Sequence, residues 1–142
     1  MRLFAISLFA TSGVFAQAKP FVHQLFSNNM VLQRDASDPV WGWTTPGANV
    51  TVTINGQTKS GTADSNGRWQ VQVGPFSAGG PYTMQITGPQ TATFTNILFG
   101  DVYLCSGQSN MELSVNSVYN ASAEVADSAN YPNIRSFTVP KV

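Results

Sequence analysis

Gly107-Gln-Ser-Asn-Met111 sets a serine at the tip of a small polar turn, and the chemistry open to a serine so placed is nucleophilic attack. Val102, Tyr103, Leu104 and Cys105, just before it, are apolar on both faces, the pattern of a strand buried inside a parallel sheet. Ser106 and Gly107 break that run, and a helical pattern begins near Asn110. Such a strand-turn-helix puts its turn at the carboxyl edge of an open sheet, where α/β folds hold ligands. Amide groups at the start of the helix can then stabilise an oxyanion. Ser109 is therefore the candidate nucleophile. The same spacing also suits a helix N-cap, with the hydroxyl accepting from an amide two or three residues on. Met111 stands where a G-x-S-x-G elbow has its second glycine, so that type of hydrolase is not supported.

A serine hydroxyl is a weak nucleophile at neutral pH and needs an adjacent base, usually a histidine oriented by a carboxylate. His23 is the single histidine, far back in the chain; it reads either as that base, if the amino-terminal strand folds against Ser109, or as a strand-edge residue. Asp101 and Glu112 are the nearest acids. Glu112 stands three residues after Ser109, where a capping-box carboxylate reaches back to an amide, and either acid could instead orient a histidine. Gln108 and Asn110 shape the turn or contact an acyl group. Cys105, the single cysteine, has no neighbouring cation to activate it and reads as a buried core residue, or as a thiol awaiting a partner. No Cys/His cluster, acidic loop or phosphate-cradling glycine loop suggests a metal or other cofactor, and none is expected.

The elements that must position Ser109 come earlier. The chain has 142 residues with seven basic and seven acidic side chains, a balance that leaves no electrostatic footprint for nucleic acid and no basic stripe for a membrane surface. Met1-Arg2 followed by the apolar run Leu3 to Ala16 has the length and small-residue ending of a signal peptide, placed at residues 1–18, and is too short to be a stable membrane anchor. A secretory route follows as the expectation: extracellular or lysosomal, or periplasmic in a bacterium. Asn49-Val-Thr51 and Asn120-Ala-Ser122 are N-glycosylation sequons, usable only in a eukaryote.

Residues 19–96 read as short strands and turns. Val31-Leu32, Val40-Trp41, Val50 to Ile54, Trp69 to Val73 and Tyr82 to Ile86 cluster or alternate β-formers. Asn55-Gly56 is a two-residue hairpin signal, and Asp64 to Gly67, Gly79-Gly-Pro81 and Gly88-Pro89 mark further turns. An antiparallel β-sandwich is expected. Trp69 shares a face with Val71 and Val73, while Trp41 shares its face with Trp43 rather than Val40. These aromatics, with Phe76 and Tyr82, either fill the core and a domain contact or stack on sugar faces. Thr95 to Gly100 reads as a hinge. Residues 97–142 then read as one β-α-β unit: the strand before Ser109, a broken helix best from Ser122 to Ala129, and a strand Ile134 to Val139 closed by Pro140.

Phe99-Gly-Asp-Val-Tyr-Leu-Cys-Ser-Gly-Gln-Ser-Asn-Met-Glu112 resembles the first sequence block of the sialate O-acetylesterase family, serine hydrolases of the SGNH type with a flavodoxin-like α/β/α domain. Asn28-Asn-Met-Val-Leu-Gln-Arg34, Val40-Trp-Gly-Trp-Thr-Thr-Pro-Gly47 and Tyr131-Pro-Asn-Ile-Arg135 resemble further blocks in the same order. The resemblance implies a mainly β chain: an antiparallel β-sandwich followed by the first β-α-β unit of an incomplete hydrolase domain. It implies Ser109 as nucleophile, O-acetylated sialic acid or a sialoglycan as substrate, and a histidine and aspartate supplied by a late block absent from these residues. The expectation is therefore a piece of a longer esterase, inactive by itself, rather than a short product that has lost catalysis. An esterase of acetylated plant polysaccharides and a non-catalytic carbohydrate-binding or structural sandwich are the alternatives.

Overall fold

The computed structural model describes residues 19–139, so the expected signal peptide at 1–18 and the closing Pro140 lie outside the described residues. Seven strands form: β1 (Val31–Gln33), β2 (Asp38–Trp43), β3 (Asn49–Ile54), β4 (Gln57–Thr62), β5 (Arg68–Val73), β6 (Gly79–Thr87) and β7 (Thr91–Gly100). A five-stranded sheet in the order β1-β7-β6-β3-β4 faces a two-stranded sheet of β2 and β5. The mainly β class and the sandwich agree with the sequence reading.

Period-2 alternation builds the core. Val50, Val52 and Ile54 of β3 and Trp69, Val71 and Val73 of β5 point inward and are at most 3% exposed, while the intervening polar residues face water. Asn55 and Gly56 both take positive φ, 47° and 74°, the requirement of a type I′ turn, and set Ile54 opposite Gln57. On the outer face the hydroxyls of Thr51 and Ser60, and of Thr53 and Thr58, pair across the hairpin at 3.0 and 3.1 Å. At the next turn the Asp64 carboxylate accepts from the amides of Asn66 and Arg68 at 2.8 and 2.9 Å. Trp69 is wholly buried, and its Nε1–H donates to the Phe21 carbonyl at 2.8 Å, so its one polar group is satisfied inside the core. Trp41 and Trp43 lie on the other face of β2, with the His23 ring 5.2 and 5.8 Å from theirs. Phe26 meets Trp41 edge-on.

Three readings need correcting. Thr95 to Gly100 is not a hinge but the second half of β7, with Ile97 and Phe99 in the core. The sandwich is not wholly antiparallel, because β1 runs parallel to β7, Val31 opposite Leu98. The strands expected at Val102 to Cys105 and Ile134 to Val139 do not form. Tyr103 and Leu104 are 81% and 91% exposed, and Cys105 is exposed rather than buried. A strand buried on both faces requires ladder partners and covering helices, and no described residues supply them. Between these two segments one seven-residue helix forms, α1 (Ala121–Asp127), beginning after Asn120 at φ 60°.

Candidate active site

Where β1 and β7 end together, the backbone is handed on to the Ser109 segment under three separate grips. Arg34 N–H donates to the Gly100 carbonyl at 2.9 Å, continuing the parallel ladder one step past the strand. Gln33 Oε1 accepts from the Val102 amide at 2.9 Å. Arg34 Nε pairs with Asp101 Oδ1 at 2.9 Å while its Nη1 holds Asp35 Oδ2 at the same distance. Asp101 thus serves as a backbone tether rather than as the partner of a histidine.

The far side of the segment returns to the same pair of strands. Arg135 is half-buried. Its Nη1 donates to the carbonyls of Met30 and Asn96, and its Nη2 to Asn96 Oδ1 at 3.1 Å. Asn96, at φ 57°, also donates through Nδ2 to Asn29 Oδ1 at 2.7 Å, and Asn28 Oδ1 accepts from the Thr95 amide at 2.8 Å. Residues 102–135 are therefore a loop tied at both ends to the β1–β7 edge. Gln33, Arg34 and Arg135 were not singled out from the sequence; the one available signal was that Arg34 and Arg135 close the blocks Asn28–Arg34 and Tyr131–Arg135.

Within that loop Ser109 opens a single 3-10 turn, Ser109–Glu112, in which the Met111 amide donates to the Gln108 carbonyl at 2.9 Å. Gln108 occupies the cap position and no side chain caps the turn, so Ser109 is not the N-cap. Its residue is exposed, and among the described residues no hydrogen bond holds its hydroxyl. A Cβ on Gly107 would come within 2.5 Å of Met111 Cγ, so a bare backbone there lets the methionine fold under the turn. The turn thus offers an accessible hydroxyl with amides beside it, the minimum for an acyl-transfer nucleophile. Its base is not at hand. His23 Nδ1 accepts from the Leu25 amide at 3.2 Å and its ring lies against Trp41 and Trp43, and none of these contacts is with the Ser109 turn.

Two predictions arise from this end of the molecule. Arg135→Ala removes a cation that satisfies two main-chain carbonyls, and hydrogen bonds to a charged group contribute about 1.5–3 kcal/mol. Residues 131–139 are expected to exchange amide hydrogens and be cut by protease faster than in the parent chain, while Arg135→Lys restores only part of the protection because one ammonium cannot span the three acceptors. The second concerns Asp38, at the start of β2. Desolvation raises its carboxyl pKa to about 6, a backbone hydrogen bond from Gln33 opposes the shift, and Oδ2 is buried with no hydrogen-bond partner among the described residues. Because the folded pKa lies above the usual value, the folded state binds the proton more tightly. The stability from Asp38 is present below about pH 4 and falls as pH rises toward about 6. Discounted for solvent access, the change is on the order of 1 kcal/mol. Asp38→Asn should flatten that part of a stability-versus-pH curve measured by urea unfolding.

With the geometry in place, the relatives can be set beside it. No family model matches the chain. The mouse sialate O-acetylesterase is 42% identical over 124 residues, which is 79% of this chain and 23% of the mouse protein. The human sialate O-acetylesterase is 39% identical over 131 residues, 82% of this chain and 24% of the human one. Among solved structures, a carbohydrate acetylesterase from Xanthomonas citri superimposes with a TM-score of 0.71 at 36% identity, covering 74% of this chain and 24% of that one. The chain spans about a quarter of the length of the curated relatives it matches. Over about four fifths of its length, this chain is a homologue of the sialate O-acetylesterases.

Proposed function

We propose that the chain supplies the nucleophile of an SGNH-type serine esterase that removes O-acetyl groups from sialic acids. The observation that carries the reading is Ser109, exposed at the start of a turn whose loop is tied at both ends to the sandwich. The Ser109 oxygen attacks the acetyl carbonyl as its proton passes to a histidine that these residues do not include, and backbone amides at the turn hold the tetrahedral oxyanion. Collapse breaks the bond to the sugar oxygen, which leaves with that proton. Water then attacks the acetyl-enzyme, releasing acetate and regenerating the hydroxyl. The β-sandwich serves as the base plate for the loop. The leader-like residues 1–16 support a secretory route, and among the described residues no helix is long and apolar enough to cross a membrane. By itself the 142-residue chain, with His23 against two indoles, is expected to show no turnover.

A broader substrate range is favoured by one finding, the structural neighbour named only for carbohydrate acetyl esters. Treating native source material with a fluorophosphonate probe and mapping the labelled peptide tests the nucleophile. Label on Ser109 supports the esterase; recovery of folded, unlabelled Ser109 peptide beside other labelled hydrolases sinks it. Acetate release from O-acetylated sialic acid against acetylated xylan separates the two substrate ranges.

A further inference from the structure

At the other end of the sandwich, where β2 finishes and β7 begins, an open cleft of about 440 Å³ lies between three turns. Its walls come from Trp43 at the end of β2, Thr44 and Thr45 after it, Asn66 in the β4–β5 turn, Pro89 and Gln90 in the β6–β7 turn, and Lys19 from the amino-terminal segment. From it we infer a second ligand site, one that takes a sugar bearing a single carboxylate.

Trp43 differs from Trp69 in the respect that matters for binding. Trp69 is buried with its N–H satisfied, whereas Trp43 is only partly buried, the His23 ring lying 5.8 Å from its own, and among the described residues its Nε1–H has no partner. The side chains of Thr44, Thr45, Asn66 and Gln90 likewise make no hydrogen bond among the described residues, which leaves hydroxyls and amides, donors and acceptors mixed, around one aromatic ring. An amphipathic ring beside a few convergent polar groups is the make-up of a site for a sugar, which presents C–H faces and hydroxyls together. Charge narrows the ligand. Among the described residues no carboxylate lines the cleft and Lys19 is its one cation, so it suits one negative charge, and no arginine there offers the fork that a phosphate takes. The Lys19 ammonium lies 5.5 Å from the Trp43 ring centroid. An exposed cation–π contact is weak, on the order of 0.5–1 kcal/mol. The ammonium can therefore leave the ring to a sugar face and pair with the carboxylate at the rim.

The cleft sits at the start of β7 and the Ser109 loop leaves its end, ten strand residues later, roughly 30 Å away at the rise of an extended strand. A sugar in the cleft would thus not occupy the nucleophile, and the inference stands whether or not Ser109 cleaves esters.

The test is a titration of the ¹⁵N-labelled chain from Gln17 onward, without the leader-like apolar run, followed by amide and indole N–H signals, with the methyl α-glycoside of N-acetylneuraminic acid, which carries no O-acetyl ester. Methyl β-galactoside and sodium acetate at equal ionic strength serve as comparison ligands. The expected result is a saturable shift of the Trp43 indole and of the Asn66 and Gln90 side-chain amides, stronger for the acidic sugar than for the neutral one. Lys19→Gln is expected to weaken the acidic sugar by about threefold and leave the neutral one unchanged. Trp43→Ala should abolish both responses with the Trp69 indole signal retained; should that variant unfold, Lys19→Gln decides alone. Absence of any saturable shift, an equal response to acetate, shifts confined to residues around Ser109, or indifference to Lys19→Gln would each overturn the inference.

Discussion

Under the proposed function, Ser109→Ala is expected to lower acetate release by at least about 10⁴-fold, because removing a nucleophile leaves only what binding and oxyanion donors contribute. Stability should be untouched. Ser109 is exposed, caps no helix and has no hydroxyl hydrogen bond among the described residues, so the variant's unfolding midpoint should match the parent's to within about 0.5 kcal/mol. That contrast makes the experiment decisive: a large loss of rate with an unchanged fold cannot be ascribed to damage. Retention of activity within tenfold would move the nucleophile elsewhere. The rate is read best as separate kcat and KM values on an O-acetylated sialoside, since a chemical defect lowers kcat while leaving ground-state binding in place.

Trp69→Ala carries the largest expected effect on stability, about 3–5 kcal/mol. The indole is wholly buried, its ring centroid lies 5.7 Å from that of Phe21, and its N–H holds the Phe21 carbonyl. Truncation would leave a cavity, and the Phe21 carbonyl would lose its indole donor. Against a typical domain stability of about 5–15 kcal/mol, the loss would take about a fifth of the total or more. Trp69→Phe separates the terms: most of the volume returns but the donor does not, so about 1–2 kcal/mol of the deficit should persist in urea unfolding. A cost below about 1 kcal/mol for the alanine variant would mean that the core is not organised around this ring.

How far the structure was legible in the sequence depended on whether partners were local. Val50 to Ile54, Asn55-Gly56 and Trp69 to Val73 carry their own signals, an alternation or a turn that needs positive φ, and those elements form as read. β4 has none: Gln-Thr-Lys-Ser-Gly-Thr is an outer strand with one neighbour in its sheet and no apolar face, and only the hairpin turn recruits it. β7 misled for another reason. Between Phe94 opposite Met84 and Ile97 opposite Tyr82 its partner advances by two residues and β7 by three. The extra residue, with Asn96 at positive φ, breaks the alternation and imitates a hinge. The Ser109 turn could be read because glycine and small polar residues mark it locally. Its tethers could not, because Arg34 meets Asp101 across 67 positions and Arg135 meets main-chain carbonyls as far as 105 positions away. A main-chain carbonyl leaves no mark on composition.

The parallel pairing of β1 with β7 also constrains the order in which the molecule can be assembled. Val31 finds its partner in Leu98, 67 residues later. At a ribosomal pace of about 5–20 residues per second, the first strand waits on the order of 3–13 s before that partner has even been made. β3 and β4 can meanwhile zip from the Asn55-Gly56 turn and β6 can add to β3, so closure by β1 falls late in folding. The loop bearing Ser109 is tethered through Gln33, Arg34 and Met30, so its final placement follows that closure. The turn that carries Ser109 is thereby among the last parts of the nascent chain to settle.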